Sequence, residues 1–300
     1  MSPGLYKILA VLGIVFILAL VAAVWSGYGL AASSEKPLEV DFLDIGQGDS
    51  ILIKTPFGQN ILIDGGPDNS VIRRLGENLP FWDRTIDLMI LTHPHDDHVS
   101  GLVEVLQRYQ VKKILYSGVN HTSPSYLAWL AEIKKRKISV VIVNRQQIIN
   151  LGPDCRLEIL SPRQNLIAKT VENLNNTSIV ARLVYQQAKF LFTGDAEKEE
   201  EDELLATGAD LSAQVLKVCH HGSNTSSGEK FLAAVRPQIA VIQVGADNQF
   251  GFPSRRVLKR LEKIGIKVYR TDRDGTVKII TDGQNFKVAT REKNPLSLEY

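Results

Sequence analysis

The stretch LTHPHDDHVSGL, residues 91–102, places three of the chain's six histidines and two aspartates within a few positions of one another. Such side chains are costly to bury unless a charged or hydrogen-bonding partner satisfies them. The apolar run TIDLMIL (85–91) comes before the cluster and indicates a buried strand. VSGLVEVLQRY (99–109) follows it with apolar residues at helical intervals. The cluster therefore lies between a strand and a helix, and a purely structural role explains it poorly.

The spacing of the cluster suits two metal ions. In an extended stretch His93 and His95 project to the same side and can reach one cation. Asp97 and His98 stand where the chain turns into the helix, and they can face a second cation beside the first. Imidazole and carboxylate ligands suit Zn, Mn or Fe. Helix capping by Asp97 is the ordinary alternative, but it leaves three histidines unexplained.

Two later strand ends carry the same kinds of side chain. FLFTGD ends a strand at Asp195, whose carboxylate could bridge two metals, and VLKVCHHGSN ends another at His220 and His221. Open α/β sheets place their sites at such strand ends. A Gly-Asp pair alone is more often a turn. Together with the first cluster, it indicates a binuclear metal site.

The length and composition of the chain limit the number of domains and the fold classes that it can form. The 300 residues are 44% apolar, which is enough for one sizeable core or two modest ones. The formal net charge of +2 creates no strong field towards nucleic acid or anionic lipid. Strand-like runs at both ends with helices between them predict an α/β fold of two sheets covered by helices. We expect a linker at residues 33–37, one domain at 38–290 and a flexible tail at 291–300.

The N-terminal segment suggests a membrane location. Lys7 is followed by the uncharged run ILAVLGIVFILALVAAVW, residues 8–25. It approaches the roughly 20 residues of a spanning helix and exceeds the roughly 7 to 15 of a signal-peptide core. We predict a membrane anchor within residues 1–32, with a signal peptide cut near Ala32 as the alternative. Lys7 lies on the short N-terminal side of the apolar run, and positive charges flanking such a run tend to stay in the cytoplasm. This predicts an extracytoplasmic catalytic domain, or a secreted one after cleavage.

HPHDDH resembles the HxHxDH signature of the metallo-β-lactamase superfamily. A wider set of motifs, from residue 38 to 280 and in the same order, resembles the C-terminal hydrolase domain of ComEC-type DNA-uptake proteins: DFLDIGQGDSILI, ILIDGG, LTHPHDDHVSGL, NNTSIV, FLFTGD, LKVCHHGSN and YRTDRDGTV. One hydrophobic segment replaces the polytopic channel of the full-length proteins, so the chain resembles a standalone, singly anchored relative. The resemblance implies a four-layer αββα sandwich with metals at the edge between its two sheets.

The resemblance also implies a role for each motif residue. It gives six ligands for two divalent ions, Zn or Mn: His93 and His95 on the first, Asp97, His98 and His221 on the second, and Asp195 between them. His220 would then touch the substrate or donate a proton. The ions would share a water, lower its pKa and clamp a phosphoryl group. Asp97 and His220 are the expected catalytic residues.

The chain differs at three positions from the wider superfamily or from its ComEC-type relatives. The loop that carries a further metal-binding histidine elsewhere reads NNTS here, with Asn175 and Asn176. An amide oxygen from Asn176 could substitute, and this harder ligand set favours Mn. Phe252 stands where many relatives have a histidine, which removes one substrate contact. His95 stands where many ComEC proteins have aspartate.

Other residues of the motifs are candidates for supporting roles. HGSNTSS could offer Ser223, Asn224 and backbone N–H groups to a phosphate, or could simply cap a helix. Asp64 in LIDGG is a candidate to support a ligating histidine from behind. Asp49, beside GQG, reads as a turn former.

The function these residues predict is a metal-dependent phosphodiesterase, acting as a nuclease on DNA outside the membrane. Hydrolysis of another phosphodiester, such as a phosphocholine-decorated wall polymer, is a second possibility. A third is a non-catalytic DNA-capture module working with a separate channel protein. The complete ligand set disfavours that third function, because capture needs basic surface rather than a reactive water. The basic stripe on helix 254–265 is more typical of a solvated face.

Overall fold

The computed structural model of the protein describes residue 4, residues 12–20 and residues 36–291. Residues 12–20 are helical, and the chain divides into two compact units, residues 1–36 and residues 37–300. Across these described ranges, no helix has both the length and the apolar character that a membrane crossing requires. Most of the predicted anchor (1–32) and of the predicted tail (291–300) lies outside the described residues.

Strands alternate with helices throughout residues 36–291. The strands are β1 (Leu38–Phe42), β2 (Ile51–Lys54), β3 (Asn60–Ile63), β4 (Thr85–Ile86), β5 (Leu88–Ile90), β6 (Gln110–Val111), β7 (Lys113–Tyr116), β8 (Ser139–Ile142), β9 (Gln147–Gly152), β10 (Cys155–Ser161), β11 (Val180–Tyr185), β12 (Ala188–Phe192), β13 (Val215–Lys217), β14 (Ile239–Ile242), β15 (Lys267–Arg270), β16 (Val277–Thr281) and β17 (Phe286–Thr290). The helices are α1 (Ser70–Asn78), α2 (Asp96–Arg108), α3 (Pro124–Arg136), α4 (Lys198–Ala206), α5 (Glu229–Val235), α6 (Arg255–Lys263) and α7 (Thr271–Asp274). Short 3-10 turns cover Asn175–Thr177 and Cys219–Gly222.

The strands form two large sheets. The first has the order β17-β16-β1-β2-β3-β5-β7-β8, and the second has the order β15-β14-β13-β12-β11-β10-β9. A small third sheet pairs β4 with β6. Within the first sheet β3, β5, β7 and β8 run parallel, and within the second β12, β13, β14 and β15 run parallel. Both sheets therefore have one edge where several carboxyl ends of strands meet.

The layering follows from the period of two in the strands, which sends alternate side chains to opposite faces. In β2, Ile51 and Ile53 lie in a core shared by both sheets, whereas Leu52 packs on the other side against helices. In β12, Phe190 joins the shared core and Leu191 faces the second group of helices. The two sheets thus pack face to face.

Helices cover the outer face of each sheet. Leu75 of α1, Leu102 of α2 and Trp129 of α3 pack on the first sheet. Leu204 of α4, Phe231 of α5, and Val257 and Leu261 of α6 pack on the second. The result is a helix–sheet–sheet–helix stack, the mixed α/β arrangement that the sequence predicts.

The buried carboxyl group of Glu200 on α4 yields a stability prediction. Burial, partly offset by a hydrogen bond from Ser161, raises the pKa of Glu200 to about 7. Because the folded state holds this proton more tightly than the unfolded chain, folding stability falls as pH rises from about 4.5 to about 7. Between pH 5 and pH 8 the free energy of unfolding should fall by about 2 kcal/mol more in the unmodified protein than in Glu200→Gln.

Urea denaturation of both proteins at the two pH values measures this difference. Glu262→Gln, which changes an exposed carboxylate on α6, is the matched control and should follow the unmodified protein. Equal pH dependence in the unmodified protein and Glu200→Gln would contradict the assignment.

Candidate metal centre

Five strand ends bring polar side chains to one edge of the sandwich. Asp64 follows β3 and His93 follows β5, both in the first sheet. Asp195 follows β12 and His221 follows β13, both in the second sheet. Gln243 follows β14. Because these parallel strands end at the same edge, groups far apart in sequence meet there.

His93 and His95 converge on one point. Nε2 of His93 lies 3.0 Å from Nδ1 of His95. Two nitrogens bound to one tetrahedral zinc are separated by about 3.3 Å, so small movements would let both bind a single cation. His93 is buried, and His95 is partly exposed at the start of α2. The expectation from their spacing, that both side chains point the same way, is met.

The other four predicted ligands form a tight cluster. The ligand atoms of Asp97, His98, Asp195 and His221 all lie within 4.8 Å of one another. Oδ2 of Asp195 is 3.3 Å from Nε2 of His98 and 3.2 Å from Nε2 of His221. The same oxygen is 3.9 Å from Nε2 of His93. Asp195 therefore stands between the His93–His95 pair and the remaining ligands.

Hydrogen bonds behind the ring nitrogens fix which nitrogen faces the cluster. Nδ1 of His98 bonds Oδ2 of Asp64 at 2.8 Å, and Nδ1 of His221 bonds the carbonyl oxygen of Gln243 at 2.9 Å. Carbonyl and carboxylate oxygens only accept, so each Nδ1 carries the proton and each Nε2 is directed into the site. The predicted supporting role of Asp64 agrees with this contact.

Thr92 extends the support to His93. Its hydroxyl donates to Oδ2 of Asp64 at 2.6 Å and lies 3.1 Å from Nδ1 of His93. Since that hydroxyl proton is already given to Asp64, the oxygen accepts from His93 Nδ1. One buried carboxylate thereby orients His98 directly and His93 through Thr92.

Three buried atoms of the cluster make no hydrogen bond among the described residues: Oδ1 of Asp195, Nε2 of His98 and Nε2 of His221. The two nitrogens lie near Asp195 but are not oriented to bond it. A buried polar atom left without a partner costs about 1–3 kcal/mol. Once the two nitrogens lose their protons, all three atoms offer lone pairs, so the donor set fits divalent metal ions.

Burial and the neighbouring carboxylates shift the pKa values of the buried histidines in opposite directions. Burial favours neutral His98, but the nearby carboxylates of Asp195 and Asp97 outweigh it and raise the pKa of His98 well above its usual value. Asp195 has the same effect on the pKa of His221. His93 differs, because burial and the neighbouring His98 charge lower its pKa well below its usual value. The carboxylates around His98 and His221 thus favour positive charge at this point of the site.

Asp49 is a site residue that sequence reasoning missed. Oδ2 of Asp49 lies 2.6 Å from the ammonium of Lys217, and Oδ1 lies 3.3 Å from Nδ1 of His221. Asp49 and Lys217 are almost wholly buried. The turn-former interpretation was therefore wrong: the bend covers residues 46–48, and Asp49 turns inward.

The loop ahead of Asp49 packs directly on the ligand loop. The backbone N–H of Asp49 donates to the carbonyl oxygen of Asp97 at 3.2 Å. Gly48 has φ +130, and a Cβ there would collide with that carbonyl oxygen. Only glycine permits this approach. The sequence signal for this site residue was the GQGD motif, in which Gly48 permits the close backbone contact and Asp49 follows it into the interior.

His220 is held at the rim of the site by Glu197, which sequence reasoning also missed. Nδ1 of His220 lies 3.0 Å from Oε1 of Glu197, and Nε2 lies 3.9 Å from Oδ2 of Asp195. Asn173, Asn175 and Thr225 also donate to the Glu197 carboxylate. The position is thus consistent with the expected contact between His220 and a substrate.

The other predicted metal or substrate contacts, Asn176, Ser223 and Asn224, form hydrogen bonds with residues outside the ligand cluster. The amide oxygen of Asn176 accepts from the backbone N–H of Glu197 at 2.9 Å, and its nitrogen donates to Glu199. The structure therefore does not bring Asn176 to the cluster as a ligand. The hydroxyl of Ser223 bonds Thr225 within the loop, and Asn224 accepts from Arg260.

Comparison with known proteins matches residues 43–245 to the family described as Metallo-beta-lactamase superfamily. The chain belongs to the metallo-β-lactamase superfamily. Membership places it among metal-dependent hydrolases, in agreement with the clustered ligands. The structure is similar to the metallo-beta-lactamase fold protein YhfI from Bacillus subtilis, with a TM-score of 0.50 and 14% identity over 78% of this chain and 96% of that chain. That likeness shows the fold.

Competence-related relatives agree with the predicted resemblance. The chain is 32% identical to ComE operon protein 3 from Bacillus subtilis (strain 168) over 80% of its length and 32% of the relative's. It is 30% identical to Competence protein ComA from Neisseria gonorrhoeae over 86% of its length and 34% of the relative's. The chain thus spans about a third of the length of these curated relatives.

Removal of the Asp64 carboxylate charge should weaken metal binding. Asp64→Asn keeps the shape but removes the negative charge and one of the two oxygens that accept from Thr92 and His98, so we expect metal affinity to fall about 10- to 100-fold. Competition with a chromophoric chelator measures the affinity of the full-length chain. Asp154→Asn, on the exposed β9–β10 turn, is the control and should bind metal like the unmodified protein. An unchanged affinity in Asp64→Asn would contradict this role.

Metal affinity should also rise with pH. His98 and His221 must each lose a proton to bind a cation, and their pKa values lie well above the usual value. Below those values each released proton contributes about a tenfold change in affinity per pH unit. Chelator competition at pH 6, 7 and 8 should therefore give a change of at least about tenfold per unit. A pH-independent affinity would contradict the electrostatic account.

Proposed function

We propose that the protein is a metal-dependent phosphodiesterase that acts as a nuclease with two divalent cations, Zn or Mn. The observation that carries the proposal is the position of Asp195 Oδ2, within 3.9 Å of ring nitrogens in two separate ligand groups. His93 and His95 would hold one cation, and Asp97, His98 and His221 would hold the other. When bound, the cations supply a reactive water and neutralise charge on the attacked phosphoryl group.

The chain's own residues would complete the reaction. Nδ1 of His220 bonds the hydroxyl of Thr225 beside the carboxylate of Glu197, and Nε2 is the ring nitrogen that lies near Asp195. Because the His220 side chain is 19% exposed, a substrate at the rim can reach it. His220 Nε2 is thus placed to give a proton to the departing oxygen. Asp97, 3.3 Å from His221 Nε2, would hold the second cation on the substrate side.

DNA is the substrate that the relatives favour. The relatives are named for competence, and involvement of this chain in DNA uptake follows as part of the proposal. In this setting the domain acts outside the cytoplasm, held to the membrane by residues 1–32 or secreted after their cleavage. A separate channel protein of an uptake system is the partner that this role would require.

The test uses the full-length protein with Mn or Zn and labelled single- and double-stranded DNA. We expect hydrolysis that Asp97→Ala reduces at least about a hundredfold, because a metal site contributes several kcal/mol to the barrier. Asp96→Ala is the matched control: it removes the neighbouring exposed carboxylate of the same helical turn, and activity should persist.

Other outcomes separate the alternatives. Turnover of bis(p-nitrophenyl) phosphate with DNA untouched would contradict the nuclease and favour a different phosphodiester. Salt-sensitive DNA binding that survives Asp97→Ala, with no turnover of either substrate, would contradict the hydrolase and favour a capture module.

A further inference from the structure

Two phenylalanines lie beside the metal centre, on the loop of residues 245–253 between β14 and α6. The ring centroid of Phe252 is 5.5 Å from that of His220 and 6.4 Å from that of His221. Phe250 stacks on Phe252, with ring centroids 5.5 Å apart and ring planes 19° from parallel. The two rings therefore form a short aromatic stack that begins at the proposed proton donor and continues outward.

The loop holds these rings in place. The side-chain nitrogen of Asn248 donates to the carbonyl oxygens of Gly245 and Phe252, at 2.8 and 2.9 Å, and its oxygen accepts from the N–H of Phe252 at 2.9 Å. The N–H of Ser254 donates to the carbonyl oxygen of Gly222, in the loop that carries His221. The stack is thus tied to the metal-binding loop and presented in a defined orientation.

Core packing does not account for Phe250. Its side chain is 57% exposed, whereas Phe252 is partly buried against the histidines. A single exposed apolar residue is ordinary. An exposed ring stacked on a second ring beside a reactive centre instead leaves a π face accessible where a substrate would lie.

The surface next to the stack is cationic. Arg255 and Arg256 are exposed and begin α6 immediately after the loop, and the first turn of this helix contains no acidic residue. The helix dipole disfavours cations at a helix N-terminus, so these two arginines do not stabilise α6. Guanidinium groups at this point would instead attract a phosphate backbone.

We propose that Phe250 and Phe252 form a stacking platform for an unpaired nucleobase, and that the protein acts on single-stranded nucleic acid. The inference rests on the proposed nuclease function and specifies its substrate. An aromatic stack next to cationic side chains is the arrangement that binds single strands without regard to sequence. In a duplex each base is paired and stacked on its neighbours, so it cannot occupy the platform without leaving the helix.

The first test compares Phe250→Leu with Phe250→Tyr in the full-length protein. Loss of one stacked base lowers affinity about tenfold, so kcat/KM on a single-stranded oligonucleotide should fall about tenfold in Phe250→Leu. Phe250→Tyr keeps the ring and should retain activity. An oligonucleotide with abasic positions throughout should be cleaved equally by all three proteins. Equal losses on the intact and abasic strands, or no loss on either, would overturn the platform.

A second measurement separates the platform from the nuclease function. Binding of a single strand that contains 2-aminopurine is followed by fluorescence without turnover. If the unmodified protein cleaves no phosphodiester but binds this strand about tenfold more tightly than Phe250→Leu does, the nuclease function fails and the platform stands. If cleavage occurs but 2-aminopurine binding is the same in both proteins, the platform fails and the nuclease function stands.

Discussion

The structure depends on one electrostatic constraint: the buried carboxylate of Asp195 must be matched by positive charge from outside the chain or by added protons. Its Oδ2 lies within 3.9 Å of ring nitrogens of four histidines, and its Oδ1 has no hydrogen bond among the described residues. Asp195 raises the pKa of both His98 and His221, so its surroundings favour positive charge on these two rings. Divalent cations satisfy the same atoms better, because they accept every lone pair at once. The edge of the sandwich is thus built for cations.

The rest of the fold serves to hold these donors rigidly. Asp64, Asp49 and Gln243 each contact the back of a ligating ring, and all three are buried. The ammonium group of Lys217 contacts the carboxylate of Asp49 and neutralises its charge. Such buried pairs stabilise little by themselves, but they orient the histidine rings that face the ligand cluster. The stability of the domain comes instead from the three apolar clusters between and outside the sheets.

Local patterns predicted much of this arrangement. The strand before the ligand loop, the helix after it and the strand ends at Asp195 and His221 follow from short-range patterns. In the structure β5 ends at Ile90 and α2 covers Asp96–Arg108. Asp49 was missed because its partners, Lys217 and His221, lie far along the chain. Glu197 was missed because its contact with His220 depends on an extended backbone ahead of α4, which brings the carboxylate to 3.0 Å from Nδ1 of His220. Such pairings depend on sheet order, which spacing alone does not encode.

The central claim is that folding gathers these side chains around a pair of divalent cations. Its most direct test is the metal content of the full-length protein, reconstituted with Zn or Mn, freed of excess metal and measured by inductively coupled plasma mass spectrometry. The account predicts two equivalents per chain, with loss of at least one in Asp195→Ala, since that carboxylate serves both positions. Less than one equivalent after reconstitution with either metal would contradict it.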